Sequence, residues 1–209
     1  QDEFLEDAAY ENEAMGPHAD GTYLPQSPGI QVFHCLHPAP SGGANALVDG
    51  FAAAERLKQM DLSAYRILTT TPIDHHYLQH KDHTLFSWAP SRPVIELAAD
   101  GGYAQIRFNP YHRSSLRLSP SGEDGLSRPE DVVGYYDAYQ AFSRICHDPE
   151  MAVVFRLTPG TVIFIDNLRV LHGRSSFTGY RQMAGCYLSR DGMMTRARLH
   201  VDENIRLQV

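Results

Sequence analysis

The stretch GPHADGTY, residues 16–23, contains two potential metal ligands separated by a single residue, His18 and Asp20. Side chains two positions apart point to the same side of an extended backbone. An imidazole nitrogen and a carboxylate oxygen in that arrangement can bind one metal ion together. The same triplet also occurs in solvated loops without any metal, so the hypothesis depends on a third ligand elsewhere in the chain.

Eleven histidines are available from which a third ligand could come. We select His172, in DNLRVLHGR, because it follows the apolar segment TVIFID and would lie at the open end of that predicted strand. Two histidines and one carboxylate that leave further coordination positions open are the ligand set of non-haem Fe(II) oxygenases. The three cysteines are widely spaced and form no cluster that would favour zinc or an iron–sulfur centre.

A rival cluster of potential ligands lies in DHHYLQHKDH, residues 74–83. His76 and His80 are four residues apart, so a helix would align them for zinc binding. However, no glutamate stands between them in an H-E-x-x-H pattern, and the segment has weak helical periodicity. We therefore expect a polar surface loop or lid here rather than a metal site.

An oxygen-activating iron site needs an electron donor, and 2-oxoglutarate is the usual one for this ligand set. Its keto acid end chelates the metal, which leaves the other carboxylate to be bound by the protein. A guanidinium group does this best, through two parallel charge-assisted hydrogen bonds. Arg181, nine residues after His172 on the presumed final strand, is the candidate. An ordinary surface arginine fits the same spacing, and spacing alone leaves both interpretations open.

Apolar periodicity and turn signals predict mostly strands, with two helices. One helix is predicted over 51–60, beginning near Asp49, and the other over 127–146, where Ser127 and Glu130 fit a capping box. Strands are predicted at 29–36, at the end of 41–50, at 94–100 and 103–109 as a hairpin around a double glycine, at 152–157 and 161–166 as a second hairpin, and at 181–188. This content favours a barrel or a sandwich with helical support.

Composition limits the classes of function that the chain can have. The 209 residues, 43% of them hydrophobic, suit one domain with a real core. A net charge of -7 and a pI near 5.8 argue against nucleic acid or an anionic membrane as the main partner. No apolar run approaches the roughly 18 to 20 residues of a membrane span. Unpaired cysteines fit a reducing compartment, and the start at Gln1 indicates a longer or processed precursor.

From about residue 7 to about residue 199 the chain resembles the trimethyllysine and γ-butyrobetaine hydroxylase family. The similar segments are HADGTY, GIQVFHCL, LVDGF with the helix after it, and above all IDNLRVLHGRSSFTGYRQMAGCYLSRD. Family members are Fe(II)/2-oxoglutarate dioxygenases of carnitine biosynthesis. The resemblance implies a mainly β fold with supporting helices and a double-stranded β-helix (jelly-roll) core. It also implies that His18, Asp20 and His172 bind iron and that Arg181 binds the distal carboxylate of 2-oxoglutarate.

The chain departs from the family pattern at several places. Asn45 stands where the family has a hydroxyl residue that helps to bind 2-oxoglutarate, and an asparagine can still donate a hydrogen bond. Ala19 and Leu168 stand where the family usually has Thr and Trp. The family's N-terminal zinc-binding domain and early barrel residues have no counterpart. We therefore expect residues 1–209 to form the catalytic double-stranded β-helix domain without that region.

Residues matched to the family's substrate site favour its trimethyllysine branch. A quaternary ammonium group cannot donate a hydrogen bond and is held by aromatic faces; the family's cage positions correspond to Tyr10 and Tyr187. Asp7 stands where the γ-butyrobetaine enzymes have an amide, and a carboxylate there attracts the α-ammonium group of trimethyllysine. Asn109 matches an asparagine that contacts the polar end of the substrate. The expected reaction is hydroxylation of trimethyllysine at C3, the first step of carnitine biosynthesis.

Other functions and partners follow from the same resemblance as expectations. O2 would be the second cosubstrate, ascorbate the reductant, and the protein a homodimer in the mitochondrial matrix, or in the cytoplasm as in the γ-butyrobetaine branch. One alternative is a γ-butyrobetaine hydroxylase or a relative that acts on another quaternary amine. The other is a non-catalytic binding or assembly subunit, which the absent N-terminal region favours and the intact ligand set disfavours.

Overall fold

The structure, a computed structural model, describes residues 11–80, 84–116 and 129–201. The strands of this part are β1 (Met15–His18), β2 (Ile30–His37), β3 (Ser41–Gly42), β4 (Asn45–Asp49), β5 (Ile73–His80), β6 (Thr84–Arg92), β7 (Ile95–Leu97), β8 (Tyr103–Ile106), β9 (Ala152–Phe155), β10 (Val162–Asp166), β11 (Val170–Arg174), β12 (Phe177–Thr178) and β13 (Gln182–Leu188). The helices are α1 (Gly50–Met60), α2 (Leu62–Thr70), α3 (Pro129–Cys146) and α4 (Arg190–Ala197). None of these helices is both long and apolar enough to cross a membrane.

Two antiparallel sheets carry four of the predicted site residues, His18, Asn45, His172 and Tyr187. One has the strand order β1-β11-β4-β9 and the other the order β10-β2-β13. Strands adjacent in space are mostly distant in sequence, since β1 pairs with β11 and β13 pairs with β2. The expected mainly β fold with supporting helices is confirmed, and these long-range pairings bring the N-terminal and C-terminal segments together.

Several elements form where the sequence predicted them. The helix predicted to begin near Asp49 is α1, and the Asp49 carboxylate caps it by accepting hydrogen bonds from the Phe51 and Ala52 amides at 3.0 and 3.3 Å. The hairpin around the double glycine is β7–β8, shorter than predicted. The long helix is α3, and Ser127 of its predicted capping box lies outside the described residues.

The second predicted hairpin is wrong. Although the turn around Gly160, with φ at +85°, separates β9 from β10, these strands do not pair with each other. Strand β9 pairs with β4 in the first sheet, and β10 pairs with β2 in the second. The chain thus crosses between the sheets at this turn, a step that residues 152–166 alone do not distinguish from a hairpin.

The prediction of a surface loop or lid over 74–83 is also wrong for the part that the structure describes. Residues 73–80 form strand β5, which pairs with β6 along its length. Asp74 and His75 are buried. The helical alignment of His76 and His80 considered for zinc does not form, because residues four apart on a strand have Cα atoms roughly 13 Å from each other.

A layer of helices forms the hydrophobic core behind the sheet β1-β11-β4-β9. Helix α2, which the sequence did not predict, follows α1 directly, and the Asp61 carboxylate caps it by accepting from the Ala64 amide at 2.9 Å. Ala19 and Leu171 both belong to this core and are fully buried. Leu171 directly precedes His172 on β11, so strand alternation turns the His172 side chain to the opposite side of the sheet.

Candidate metal centre and active site

His18 and His172 face each other across the pairing of β1 with β11. They are register partners, and their ring centroids lie 4.4 Å apart. The two strands approach closely beside them, because a Cβ on Gly173 would lie 2.6 Å from the Met15 carbonyl oxygen. A glycine at this position therefore allows the two histidines to converge.

Asp20 lies beside the two histidines because its main chain is held by Asn167, which follows β10. Its amide donates to Asn167 Oδ1 at 2.8 Å, and Asn167 Nδ2 donates back to the Asp20 carbonyl at 2.9 Å. The carboxylate then lies 3.3 Å from His18 Nε2 through Oδ1 and 3.6 Å from His172 Nε2 through Oδ2. One ligand atom from each of the three residues lies within 4.8 Å of the others.

The protonation states of Asp20 and His172 suit the binding of a cation. Burial alone would raise the pKa of the Asp20 carboxyl, but hydrogen bonds and charge from His172 and His18 outweigh it and hold that pKa well below its usual range. Burial lowers the pKa of His172 and outweighs the opposing effect of Asp20. Asp20 is therefore a carboxylate and His172 a neutral imidazole, the protonation states in which both bind a metal.

The donor set fits an iron ion. His18 Nδ1 lies 2.8 Å from the Gly16 carbonyl oxygen, so this nitrogen carries a hydrogen and Nε2 is the ring nitrogen that faces the cluster. The Nδ1 atom of His172 is buried and has no hydrogen-bond partner in the described part of the chain. Two imidazole nitrogens and one carboxylate oxygen, with open space beside them, suit a non-haem Fe(II) centre.

The three residues open into a cleft of about 880 Å³. Both sheets line it, as do β5 and the turn after β8. The predicted site residues in its lining are His18, Asp20, Asn45, Asn109, His172, Arg181 and Tyr187. A cleft of this size accommodates a cosubstrate and a small-molecule substrate side by side.

Arg181 lies in this cleft together with Asn45. Both also line a small adjoining pocket next to Gly43. The guanidinium of Arg181 is 5.5 Å from the Phe177 ring centroid, and burial lowers its pKa. Among the described residues no carboxylate pairs with it. A half-buried guanidinium without an acidic partner is ready to bind an external carboxylate.

The predicted substrate residues are only partly placed. Asp7 and Tyr10 lie outside the described residues. Tyr187 lines the cleft, and its hydroxyl donates to Asp20 Oδ2 at 2.8 Å. Asn109 is buried: its Nδ2 donates to the Ala19 carbonyl at 2.8 Å, and its Oδ1 accepts from two main-chain amides. The amide of Asn109 thus holds the segment just after β1 and has at most one N–H left for a substrate.

One wall of the cleft is a group of aromatic side chains that the sequence did not predict. The Tyr23 and Tyr77 rings stack at 4.8 Å, and His112 meets them edge-on at 5.0 and 5.1 Å. Tyr111 meets the ring of His18 at 5.5 Å, and its hydroxyl accepts from the Gly16 amide at 2.8 Å. The only available signal was the aromatic content of GTY and NPYH, because their partners lie far away in sequence.

Three buried polar residues that position the site were also missed. Asn167 follows the strand segment VIFID, and Gln31 stands among the apolar residues of β2. Arg174, two residues after His172, also lines the cleft and donates through Nη2 to the Glu13 carbonyl at 3.2 Å. A polar side chain inside an apolar strand was the available signal, since such a group is buried only with a partner.

Comparison with known proteins defines the class. A sequence model of the Taurine catabolism dioxygenase TauD, TfdA family matches residues 2–187, so the chain belongs to this family. Among solved structures, an asparagine oxygenase in complex with Fe(II), hydroxyasparagine and succinate covers 97% of this chain with a TM-score of 0.64 at 18% identity. A taurine dioxygenase from Burkholderia xenovorans covers 85% of it with a TM-score of 0.61. These similarities confirm the fold, a jelly-roll core.

Closer similarity is found with curated enzymes. The mitochondrial trimethyllysine dioxygenases of Bos taurus and Homo sapiens are 40% and 38% identical to this chain over 195 residues. The γ-butyrobetaine dioxygenase of Homo sapiens is 31% identical over 195 residues. The matched region covers 92% of this chain but only 44% of the bovine protein. The chain therefore spans less than half the length of these relatives.

Proposed function

We propose that the chain is the catalytic domain of an Fe(II)/2-oxoglutarate-dependent dioxygenase that hydroxylates N6,N6,N6-trimethyllysine at C3. The observation that carries this proposal is the convergence of His18, Asp20 and His172 in one cleft with Arg181. Their ligand atoms come from opposite ends of the chain and lie within 4.8 Å of one another. A non-catalytic subunit would have no physical need for this arrangement.

Each residue has a defined task in this proposal. His18, Asp20 and His172 hold the iron, while Arg181, assisted by Asn45, binds the distal carboxylate of 2-oxoglutarate. With iron and 2-oxoglutarate bound, O2 is consumed, 2-oxoglutarate becomes succinate and carbon dioxide, and one oxygen atom enters a C–H bond of the substrate. The protein supplies the orientation that places this C–H bond next to the metal.

The substrate assignment rests on similarity and on aromatic residues in the cleft. The trimethyllysine dioxygenases are 34–40% identical to this chain, and the human γ-butyrobetaine dioxygenase 31%. The cage residues Tyr10 and Tyr187 would hold the trimethylammonium group against their ring faces. Asp7 and Asn109 would contact the amino acid end. The relatives named as mitochondrial support the mitochondrial matrix as location, whereas the homodimer and the use of ascorbate stay predictions.

Substrate competition tests the proposal directly. The protein is incubated with Fe(II), 2-oxoglutarate and equal concentrations of trimethyllysine and γ-butyrobetaine, and both hydroxylated products are quantified by mass spectrometry. We expect 3-hydroxytrimethyllysine to dominate. A preference for γ-butyrobetaine would leave the dioxygenase activity in place and reverse the substrate assignment. Absence of both products and of succinate, in a folded protein that retains iron, would favour the binding subunit.

A further inference from the structure

One oxygen of the Asp20 carboxylate accepts two hydrogen bonds from neighbouring strands. Gln31 Nε2 donates to Asp20 Oδ2, and the Tyr187 hydroxyl donates to the same oxygen at 2.8 Å. Gln31 is buried at 3% exposure, whereas Tyr187 is 56% exposed. The amide of Gln31 must point its nitrogen at Asp20, because only an N–H can donate to a carboxylate.

The two donors are placed by the sheet and do not depend on a flexible loop. Gln31 on β2 and Tyr187 on β13 are register partners, so their side chains lie side by side on one face of the sheet. Both line the cleft that contains the iron ligands. Asp20 comes from the segment after β1 and meets this pair from the other sheet. The contact therefore ties the two sheets together at the metal centre.

The two hydrogen bonds make the carboxylate oxygens of Asp20 unequal. A carboxylate oxygen has about two lone-pair sites, and both sites of Oδ2 are used by these donors. Asp20 Oδ1 lies 3.3 Å from His18 Nε2 and accepts no hydrogen bond from a main-chain amide or hydroxyl in the described part of the chain. Oδ2 also lies 3.6 Å from His172 Nε2, but its lone pairs are taken by the two donors, so Oδ1 is the oxygen with lone pairs available for a metal.

We infer that Gln31 and Tyr187 are positioning residues, which hold Asp20 so that it binds iron through Oδ1 alone. Single-oxygen binding keeps one more coordination position open for 2-oxoglutarate or O2 than binding through both oxygens would. Tyr187 has a second task if the proposed function holds, because its ring would hold the trimethylammonium group while its hydroxyl supports the metal ligand. The inference rests on the proposed function for the identity of the metal.

Metal affinity tests the inference without any substrate. Purified wild type, Gln31→Met and Tyr187→Phe are titrated with Fe(II) in the presence of 2-oxoglutarate under anaerobic conditions, and the metal-to-cosubstrate absorption is followed. Each substitution keeps the side-chain volume and removes one donor. We expect Fe(II) binding to weaken by about 10- to 100-fold in each variant, the usual range for residues that support a metal ligand. The absorption maximum should also move in both.

Matched substitutions control for burial and for the loss of a hydroxyl. Gln105→Met removes a buried glutamine on β8 that is not part of the cleft lining, and Tyr180→Phe removes an exposed hydroxyl. Both should bind Fe(II) within about twofold of wild type. Unchanged affinity in Tyr187→Phe and in a folded Gln31→Met would overturn the inference. If Gln31→Met does not fold, the inference is tested by Tyr187→Phe alone, because that substitution changes an exposed side chain and should not affect folding.

Comparison with Tyr187→Leu separates the two tasks of the tyrosine. The phenylalanine variant keeps the ring, so the KM for trimethyllysine should stay within about twofold while Fe(II) affinity falls. The leucine variant loses ring and hydroxyl, and both quantities should change. A Tyr187→Phe variant with altered KM and normal Fe(II) affinity would contradict the positioning role. Failure of the wild-type protein itself to bind Fe(II) would instead refute the proposed function.

Discussion

GPHAD, residues 16–20, and DHHYL, residues 74–78, both bring histidines onto strands that line the same cleft, yet among the described side chains only the first forms a ligand cluster. The difference lies in what each strand pairs with. Strand β1 pairs with β11, which places His172 opposite His18. Strand β5 pairs with β6, which places Trp88 opposite His76. A histidine becomes a ligand through its cross-strand partner, and the number of histidines nearby has little bearing on it.

The second segment also contains a contrast between adjacent residues. His75 is fully buried, and burial, with the positive charges of Arg107, His112 and Arg113, lowers its pKa to about 3. His76 is exposed, and its Nδ1 lies 2.6 Å from Ser114 Oγ. Because strand neighbours point to opposite sides, one of these histidines is a neutral core residue and the other belongs to the cleft wall.

The largest expected effect is that of removing a ligand. Asp20→Ala leaves two imidazoles and no carboxylate, a set that binds iron weakly, so succinate formation should fall at least about a thousandfold. His76→Ala is the matched control from the other segment and should retain turnover within a few-fold. Full activity in Asp20→Ala, measured by succinate formation, would remove Asp20 from the metal centre.

The next largest effect concerns 2-oxoglutarate. Arg181→Met keeps the aliphatic volume and removes two charge-assisted hydrogen bonds, so half-saturation should require about 100-fold more 2-oxoglutarate, or about 3 kcal/mol of binding free energy. The control Arg190→Met breaks only an exposed ion pair with Asp166 and should leave this constant unchanged. Equal constants for both variants would show that the distal carboxylate is bound elsewhere.

A smaller effect is expected on stability when His75 is replaced. The folded-state pKa near 3 lies below the ordinary value of 6.5, so between these pH values the unfolded chain binds a proton that the folded chain does not. The free energy of unfolding should therefore decrease as the pH falls through this window, by up to about 1.4 kcal/mol per pH unit.

The variant His75→Leu removes this contribution, so wild type should lose stability relative to it between pH 6 and pH 4. Urea unfolding at several pH values measures the difference, and the exposed His200→Ala serves as control. A constant difference between wild type and His75→Leu across this range would mean that His75 is protonated in the folded protein.

The smallest effect is expected from His76→Ala. The substitution removes one hydrogen bond to Ser114 at an exposed position, so the free energy of unfolding should change by about 0.5 to 1 kcal/mol. Fe(II) affinity should not change, and the KM for trimethyllysine should change by a few-fold at most. A large loss of Fe(II) affinity would place His76 in the metal centre and abolish the contrast between the two segments.

Local chemistry made much of this fold predictable. The Asp49 cap, the double glycine of β7–β8 and the apolar stripe of α3 are short-range signals, and each gave an element close to the observed one. The ligand cluster was predictable only in part: HAD brings two ligands close together, but His172 was selected as the end of the TVIFID strand and in fact lies inside the next strand, β11, which belongs to the other sheet. Resemblance to a known family supplied Arg181 and Asn45, whose role spacing alone did not define.

Long-range pairing was not predictable from the residues. Nothing between 152 and 166 distinguishes a hairpin from a crossing between sheets, because the partner strands β4 and β2 both lie more than a hundred residues earlier in the sequence. The same limit applies to Gln31, which contacts Asp20 only because the two sheets meet there. Strand β5 was not predicted because its histidines all count as polar in the sequence. The alternation of buried and exposed residues becomes visible only once His75 is known to be buried.

Anaerobic titration with Fe(II) and 2-oxoglutarate tests the metal centre most directly. Wild type, His172→Ala and His76→Ala are compared by the metal-to-cosubstrate absorption. We expect the band in wild type and in His76→Ala, and its loss in His172→Ala. A band that survives in folded His172→Ala, or that disappears in His76→Ala, would contradict a centre built from the pairing of β1 with β11.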